Sequence, residues 1–100
     1  MTNRKQELRS RYRWQIVCVD GNVYDENFLK TPSDIVGVCR IKLIPQHYGL
    51  EVESVDIPVG ATPVFYFTCR EHIGGPFESI TFHIGYEYNG NRFLKDILVK

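Results

Sequence analysis

The sequence predicts a mainly β domain, an antiparallel β-sandwich of which an immunoglobulin-like arrangement is one form, preceded by an N-terminal α-helix. Three observations carry that expectation. Short stretches alternate apolar and polar residues with the two-residue period of a half-buried strand, as in Cys39-Arg40-Ile41-Lys42-Leu43. Turn formers stand between such stretches, Asp20-Gly21 and Asn89-Gly90 above all, and supply the positive φ angles that tight hairpins need. The leader, by contrast, is built of straight-chain residues that favour helix: Lys5, Gln6, Glu7, Leu8 and Arg9. A small β-barrel, or an α+β sheet packed by that helix, is the alternative architecture.

In chain order, residues 1–13 read as a basic helix or arm and residues 14–100 as a single β domain. Thr2 or Asn3 is placed to cap the helix, since a side-chain oxygen there accepts the free amide hydrogens of the first turn. Its apolar edge, Leu8 with Tyr12 and Trp14, is thin, so the helix must dock or fray. Arg13 to Tyr24 reads as a hairpin of β-formers turning at Asp20-Gly21. Asp25 to Asp34, with Pro32 and Ser33 and no alternation, is a loop with one helical turn around Asn27 to Lys30. Ile35 to Ile44 is a strand, stopped by Pro45, which has no amide hydrogen to give the ladder. Gln46 to Gly49 makes the connection. Leu50 and Val52 are apolar on one parity, and Val55, Ile57 and Val59 on the other. That phase change predicts a β-bulge around Ser54.

Thr62 to Cys69 is apolar or aromatic on both faces, which assigns it to the centre of a sheet. Glu71 to Glu78, around Gly74-Gly75-Pro76, is a surface loop. The last segment is the most sharply specified. A two-residue turn at Asn89-Gly90 sets Tyr86 opposite Phe93, Ile84 opposite Lys95, Phe82 opposite Ile97 and Ile80 opposite Val99. One face is thereby apolar except for Lys95, whose stem is expected in the sheet and whose amine is expected in water. His83, Glu87, Arg92 and Asp96 fall on the other face.

At 100 residues the chain suits one domain rather than two. Its 43% hydrophobic and 24% charged residues are globular proportions, which argues against general disorder. Twelve basic and twelve acidic residues cancel, so the whole molecule steers no charged ligand. The leader through Arg13 nonetheless carries a net +4 and the remainder −4. Cys18, Cys39 and Cys69 are odd in number and widely spaced, which fits reduced thiols in a cytoplasmic protein better than a secreted disulfide framework. No apolar run approaches the ~20 residues of a membrane span, and no signal peptide is read at the start.

Few residues carry chemistry. Cys69-Arg70-Glu71-His72 offers a thiol beside positive neighbours, the setting of an activated nucleophile. On an extended strand, however, Cys69 and His72 point to opposite faces, and Cys69 continues the buried parity of Phe65 and Phe67. The cysteines and His47, His72 and His83 are too scattered for a zinc site, so no metal is expected, and no cofactor. Asp20-Gly21-Asn22 and Gly74-Gly75-Pro76 are turns, since neither opens a helix with a phosphate-binding lysine. Glu51 and Glu53 share one strand face with nothing apolar around them to shift a pKa, and read as a solvated edge.

The functional expectation is a non-enzymatic interaction module, a small accessory or adaptor protein that binds a protein partner through a sheet edge or loops. Tyr48, Phe77 and Tyr88, at loops or turns, are its candidate anchors. Homo-oligomerisation fits the apolar last strands. The alternative is nucleic-acid binding by Arg4, Lys5, Arg9, Arg11 and Arg13, interleaved with the stacking rings of Tyr12 and Trp14. Against it stand the zero net charge and the acidic body.

Overall fold

The computed structural model describes residues 12–46, 49, 51–71 and 78–99, and in them the chain is mainly β. Its strands are β1 (Tyr12–Cys18), β2 (Val23–Asp25), β3 (Val38–Pro45), β4 (Glu53–Asp56), β5 (Thr62–Glu71), β6 (Glu78–Tyr88) and β7 (Asn91–Val99). They form two antiparallel sheets, ordered β2-β1-β3-β4 and β5-β6-β7. The described helical residues are two single 3-10 turns, Glu26–Phe28 and Pro32–Asp34. Among the described residues no helix is long and apolar enough to cross a membrane.

The first strand starts earlier than expected. Tyr12 and Arg13 belong to β1, not to a helix, because alternation already runs through Tyr12, Trp14, Ile16 and Cys18, and that face turns inward. Residues 1–11, and with them the rest of the expected helix, lie outside the described residues. The rings of Tyr12 and Trp14 therefore pack rather than stack on a ligand. Tyr12 meets Phe82 with centroids 6.0 Å apart, and Trp14 meets Phe65 at 5.9 Å, each contact joining one sheet to the other.

The β1–β2 hairpin forms, but around a three-residue loop, Val19-Asp20-Gly21, with the Cys18 N–H donating to the Asn22 carbonyl at 2.8 Å and the Gly21 N–H to the Cys18 carbonyl at 3.0 Å. Gly21, at φ +89°, is the left-handed residue that such a loop requires. The next strand begins at Val38 rather than Ile35, because Pro32–Asp34 forms a 3-10 turn and Gly37 takes φ +74°. No bulge occurs at Ser54. Pairing of β3 with β4 is regular from Arg40↔Asp56 to Leu43↔Glu53, and the irregularity lies instead between Val17 and Cys18, where β1 meets β3. The apparent phase change arises because β4 is only four residues long; Val52 precedes it and Val59 follows it, the latter 95% exposed.

The Asn89-Gly90 turn and its register are as expected. Both residues have positive φ, 51° and 79°, the signature of type I′, and all four expected cross-strand pairs form. Thr62–Cys69 is corrected: among the described strands β5 lies at the edge, and β6 holds the centre of the sheet. Its two-sided apolarity has a different cause. Phe65 and Phe67 face the core against Phe82, while Tyr66, on the other face, lies flat on the His83 ring at 4.4 Å.

One hydrophobic cluster draws on both sheets: Ile16, Ile41 and Leu43 from the first, and Ile80, Phe82, Ile84 and Ile97 from the second. Each fully buried side chain among them contributes about 1.5–3 kcal/mol of transfer free energy. The sheets remain two separate sheets, so no barrel closes among the described strands. Nor do strands alternate between sheets as in an immunoglobulin fold, since β1 to β4 fill one sheet and β5 to β7 the other. Lys95 does not end free in water as expected. Its ammonium meets the Glu53 carboxylate of β4 at 2.5 Å, so the charge on the inward row of β7 answers the charge on the inward row of β4.

Candidate functional site

Two antiparallel pairings, β5 with β6 and β6 with β7, decide which side chains share the outer face of the three-stranded sheet. Tyr66 stands opposite His83, and His83 opposite Asp96; Thr68 lies one step along on the same face. The His83 Nδ1 is 2.6 Å from Asp96 Oδ1, and its Nε2 is 3.0 Å from Thr68 Oγ1. A carboxylate accepts only, so Nδ1 carries a proton and donates to Asp96, while Nε2 shares a hydrogen bond with the Thr68 hydroxyl, which can serve as donor or acceptor. Tyr66 lies flat on the imidazole, 19° from parallel. One ring is thus held by three side chains from its two neighbouring strands.

Hydroxyl, imidazole and carboxylate in line form the pattern of an activated nucleophile. Two features oppose that use here. The carboxylate of Asp96 is 64% exposed, so water screens the charge that would have to stabilise an imidazolium. Thr68 is itself exposed, and among the described residues nothing encloses it in a cleft. The trio is better described as a polar clamp across β5, β6 and β7.

The same sheet carries a second tie at its hairpin end. Arg92 donates from Nε (2.8 Å) and Nη2 (2.5 Å) to one Glu87 oxygen, and this hydrogen bond, with the charge of Glu87, raises the Arg92 pKa further above its ordinary value. On the other sheet Arg40 and Asp56 make a similar exposed pair at 2.5 Å. Burial pushes the Cys18 thiol up, aided by Asp20 and Cys39, which keeps it protonated and unreactive at neutral pH. Among the described residues no group of three or more His, Cys, Asp or Glu is gathered to hold a metal ion.

The edges differ in how much backbone they offer. β2 has only three residues and β4 only four. β5 carries Pro63, which lacks an amide hydrogen, and is packed by the Pro32–Asp34 turn. β7 runs nine residues without proline and has no strand beyond it among the described residues. Its outward groups follow from the turn. The pair closing a two-residue hairpin, Tyr88↔Asn91, exchanges hydrogen bonds, and such pairs alternate. Asn91, Phe93, Lys95 and Ile97 therefore bond to β6, and Arg92, Leu94, Asp96 and Leu98 present N–H and C=O to the free side. Phe93 and Leu98 add apolar surface, 49% and 52% exposed.

A separate apolar cleft of about 230 Å³ opens beside the β4–β5 turn, lined by Val19, Ile35, Val38, Ile57 and Pro63, among others.

Of the candidate residues read from sequence, Tyr48 and Phe77 lie outside the described residues, as do Arg4, Lys5, Arg9, Arg11 and His72. Tyr88 ends β6, 41% exposed, its ring beside Gly60. Arg13 points outward from β1, 3.8 Å from Glu26. Glu51 is exposed, whereas Glu53 is not a solvated edge residue but the partner of Lys95. Sequence reasoning missed the clamp. The Asn89-Gly90 register already set His83 opposite Asp96, so half of it was available; Thr68 was not, because no tight turn fixes β5 against β6.

No protein-family model, no curated protein and no solved structure matches this chain.

Proposed function

We propose that this chain is a non-enzymatic protein-interaction module, a two-layer β-sandwich that takes up an extended segment of a partner along the outer edge of β7. One observation carries the reading: β7 is a nine-residue edge strand without proline, while every other described edge is short or interrupted by proline. Strand addition draws affinity from main-chain hydrogen bonds and specificity from alternate side chains. On β7 the row that flanks the free N–H and C=O groups is Arg92, Leu94, Asp96 and Leu98, which favours a partner strand of mixed charge with an apolar centre. The exposed carboxylate of the Thr68–His83–Asp96 clamp speaks against catalysis. A cytoplasmic setting is in keeping with the free thiols of Cys18 and Cys39.

The test is a displayed library of unstructured peptides, selected on the purified protein and on a Leu94→Pro variant. Proline at position 94 removes an outward amide and spares the β6–β7 ladder. Enriched peptides are expected to bind wild type and to lose at least tenfold on Leu94→Pro, with a similar melting curve for the two proteins. Equal binding to both, or no enrichment at all, refutes the reading.

A further inference from the structure

We infer that a second copy of this chain occupies the β7 edge, the two β7 strands pairing antiparallel about a two-fold axis at Leu94. The inference rests on the edge reading above and names the occupant. Two three-stranded sheets would then continue as one, each copy offering the same surface to the other, as a closed two-fold interface requires.

The register follows from parity and charge. If the inner faces of both copies stay on the same side, residues directly opposite must share a face, so the axis passes through a residue rather than between two. An axis at Lys95 sets Lys95 against Lys95, and an axis at Asp96 sets Asp96 against Asp96; like charges directly opposite destabilise a ladder. Axes at Phe93, Leu94 and Ile97 avoid both, and of these only the axis at Leu94 also sets opposite charges against each other. It places Leu94 against Leu94, Arg92 against Asp96 of the second copy, Asp96 against Arg92 of the second copy, and Phe93 against Lys95. Every outward N–H and C=O of Arg92, Leu94 and Asp96 then finds a main-chain partner, since these are the positions that β6 leaves unused. The charges repeat in opposite sense across the axis, which fixes the register as well as the partner.

The groups concerned keep the capacity to do this. His83 takes only Oδ1 of Asp96, and the carboxylate is 64% exposed, so Oδ2 remains to accept from a second arginine. Arg92 gives Nε and Nη2 to Glu87 and also interacts with the Tyr66 side chain, but a guanidinium carries five N–H donors, more than these two partners use. Lys95, the inward charge that would otherwise guard the edge, is already engaged by Glu53.

Sedimentation of the purified full chain without any peptide tests the inference, over micromolar to near-millimolar concentrations. Wild type is expected to dimerise. Arg92→Asp alone opposes two aspartates at each pair and Asp96→Arg alone two arginines, so each is expected to weaken association at least tenfold, whereas an equimolar mixture of the two variants is expected to associate again as a heterodimer. Because Asp96→Arg also removes the partner of His83, Leu94→Cys provides an independent readout. Under mild oxidation it is expected to give a disulfide-linked dimer, the paired Cα atoms lying about 5.5 Å apart, while Leu98→Cys is not. A wild-type chain that stays monomeric throughout overturns this inference and leaves the peptide selection to decide the edge reading by itself. A dimer insensitive to Arg92→Asp and not cross-linked through position 94 also overturns it, since its interface must then lie elsewhere.

Discussion

Gly85, in the middle of β6, is the position where one methyl group should cost most for its size. A Cβ built there falls 1.9 Å from the Phe93 carbonyl oxygen and 2.9 Å from Leu94 Cα, both backbone atoms of β7. Ordinary contact is about 3.5 Å, so β7 must retreat locally by about 1.5 Å, and no side-chain rotation can spare it. Overpacking of that kind costs about 1–3 kcal/mol. Phe93 also sits in a hydrogen-bonded pair with Tyr86, and weakening that bond adds about 1 kcal/mol. The stiffer unfolded chain of the alanine variant returns about 0.4–1 kcal/mol. The net loss is about 1–3 kcal/mol, which at about 4–8 °C per kcal/mol for a domain of this size lowers Tm by about 10 °C. Circular dichroism melts of Gly85→Ala and wild type measure it. Gly90→Ala is the control, because Gly90 has φ +79° but nothing within 4 Å of a built Cβ, so it isolates backbone strain of about 1–2 kcal/mol. A Gly85→Ala protein melting within about 2 °C of wild type would refute the argument, because the close approach of the strands would then be soft.

Three further outcomes follow from the same geometry. The Cys18 thiol has its pKa raised by burial above the ordinary 9.0, so the folded state holds that proton more tightly than the unfolded state. Its contribution to stability is present below about pH 9 and is lost as pH rises through the folded pKa; urea midpoints across alkaline pH should fall more steeply for wild type than for Cys18→Val, and parallel curves would contradict this. For Glu53 and Lys95, whose side chains are 32% and 47% exposed, a double-mutant cycle with Glu53→Gln and Lys95→Met should give a coupling of about 0.2–1 kcal/mol. A value near zero would mean the pair merely coexists with the packed sheets. In nitrogen-15 NMR spectra of neutral His83, the proton should reside on Nδ1 in wild type and lose that preference in Asp96→Asn; an Nε2–H tautomer in wild type would break the clamp as described.

How much of this was legible depended on how local the cause was. The β6–β7 hairpin could be read residue by residue, because Asn89-Gly90 fixes a two-residue turn and the turn fixes every pair behind it. The position of β5 could not. An apolar outer face normally means cover from another layer, yet here Tyr66 is served by His83, a polar residue of the adjacent strand. The start of β1 was misread because Tyr12 and Arg13 follow a run of helix formers, and propensity yields where an alternating face can bury two large rings. Lys95 looked misplaced in its strand and Glu53 looked like a solvated edge residue, and only their contact between strands of different sheets shows that they answer one another. For the site, His83 opposite Asp96 was implied by the turn, whereas the free edge was invisible, since strand order is not written in any single strand.

The charges on β7 decide between a guarded edge and an available one. Natural sheets discourage edge pairing with mobile charged side chains, above all inward-pointing lysines. β7 has three charged residues, and each is tied to a neighbour: Arg92 to Glu87, Lys95 to Glu53 and Asp96 to His83. A charge already held in one geometry loses little further rotamer freedom when another strand arrives, so the entropic cost of association falls. Two of the ties run to β6 and one to β4, so β7 is held from both sheets. If these ties prepare the edge for a second strand, releasing one should weaken strand addition more than it weakens the fold. Glu87→Gln, which removes the carboxylate charge that holds Arg92 without touching the outward face of β7, is therefore expected to lower association several-fold while shifting Tm by no more than about 4–8 °C, the equivalent of at most about 1 kcal/mol for an exposed pair. A variant that melts much earlier yet associates as well as wild type would show that the ties stabilise the sheet and do nothing to prepare its edge.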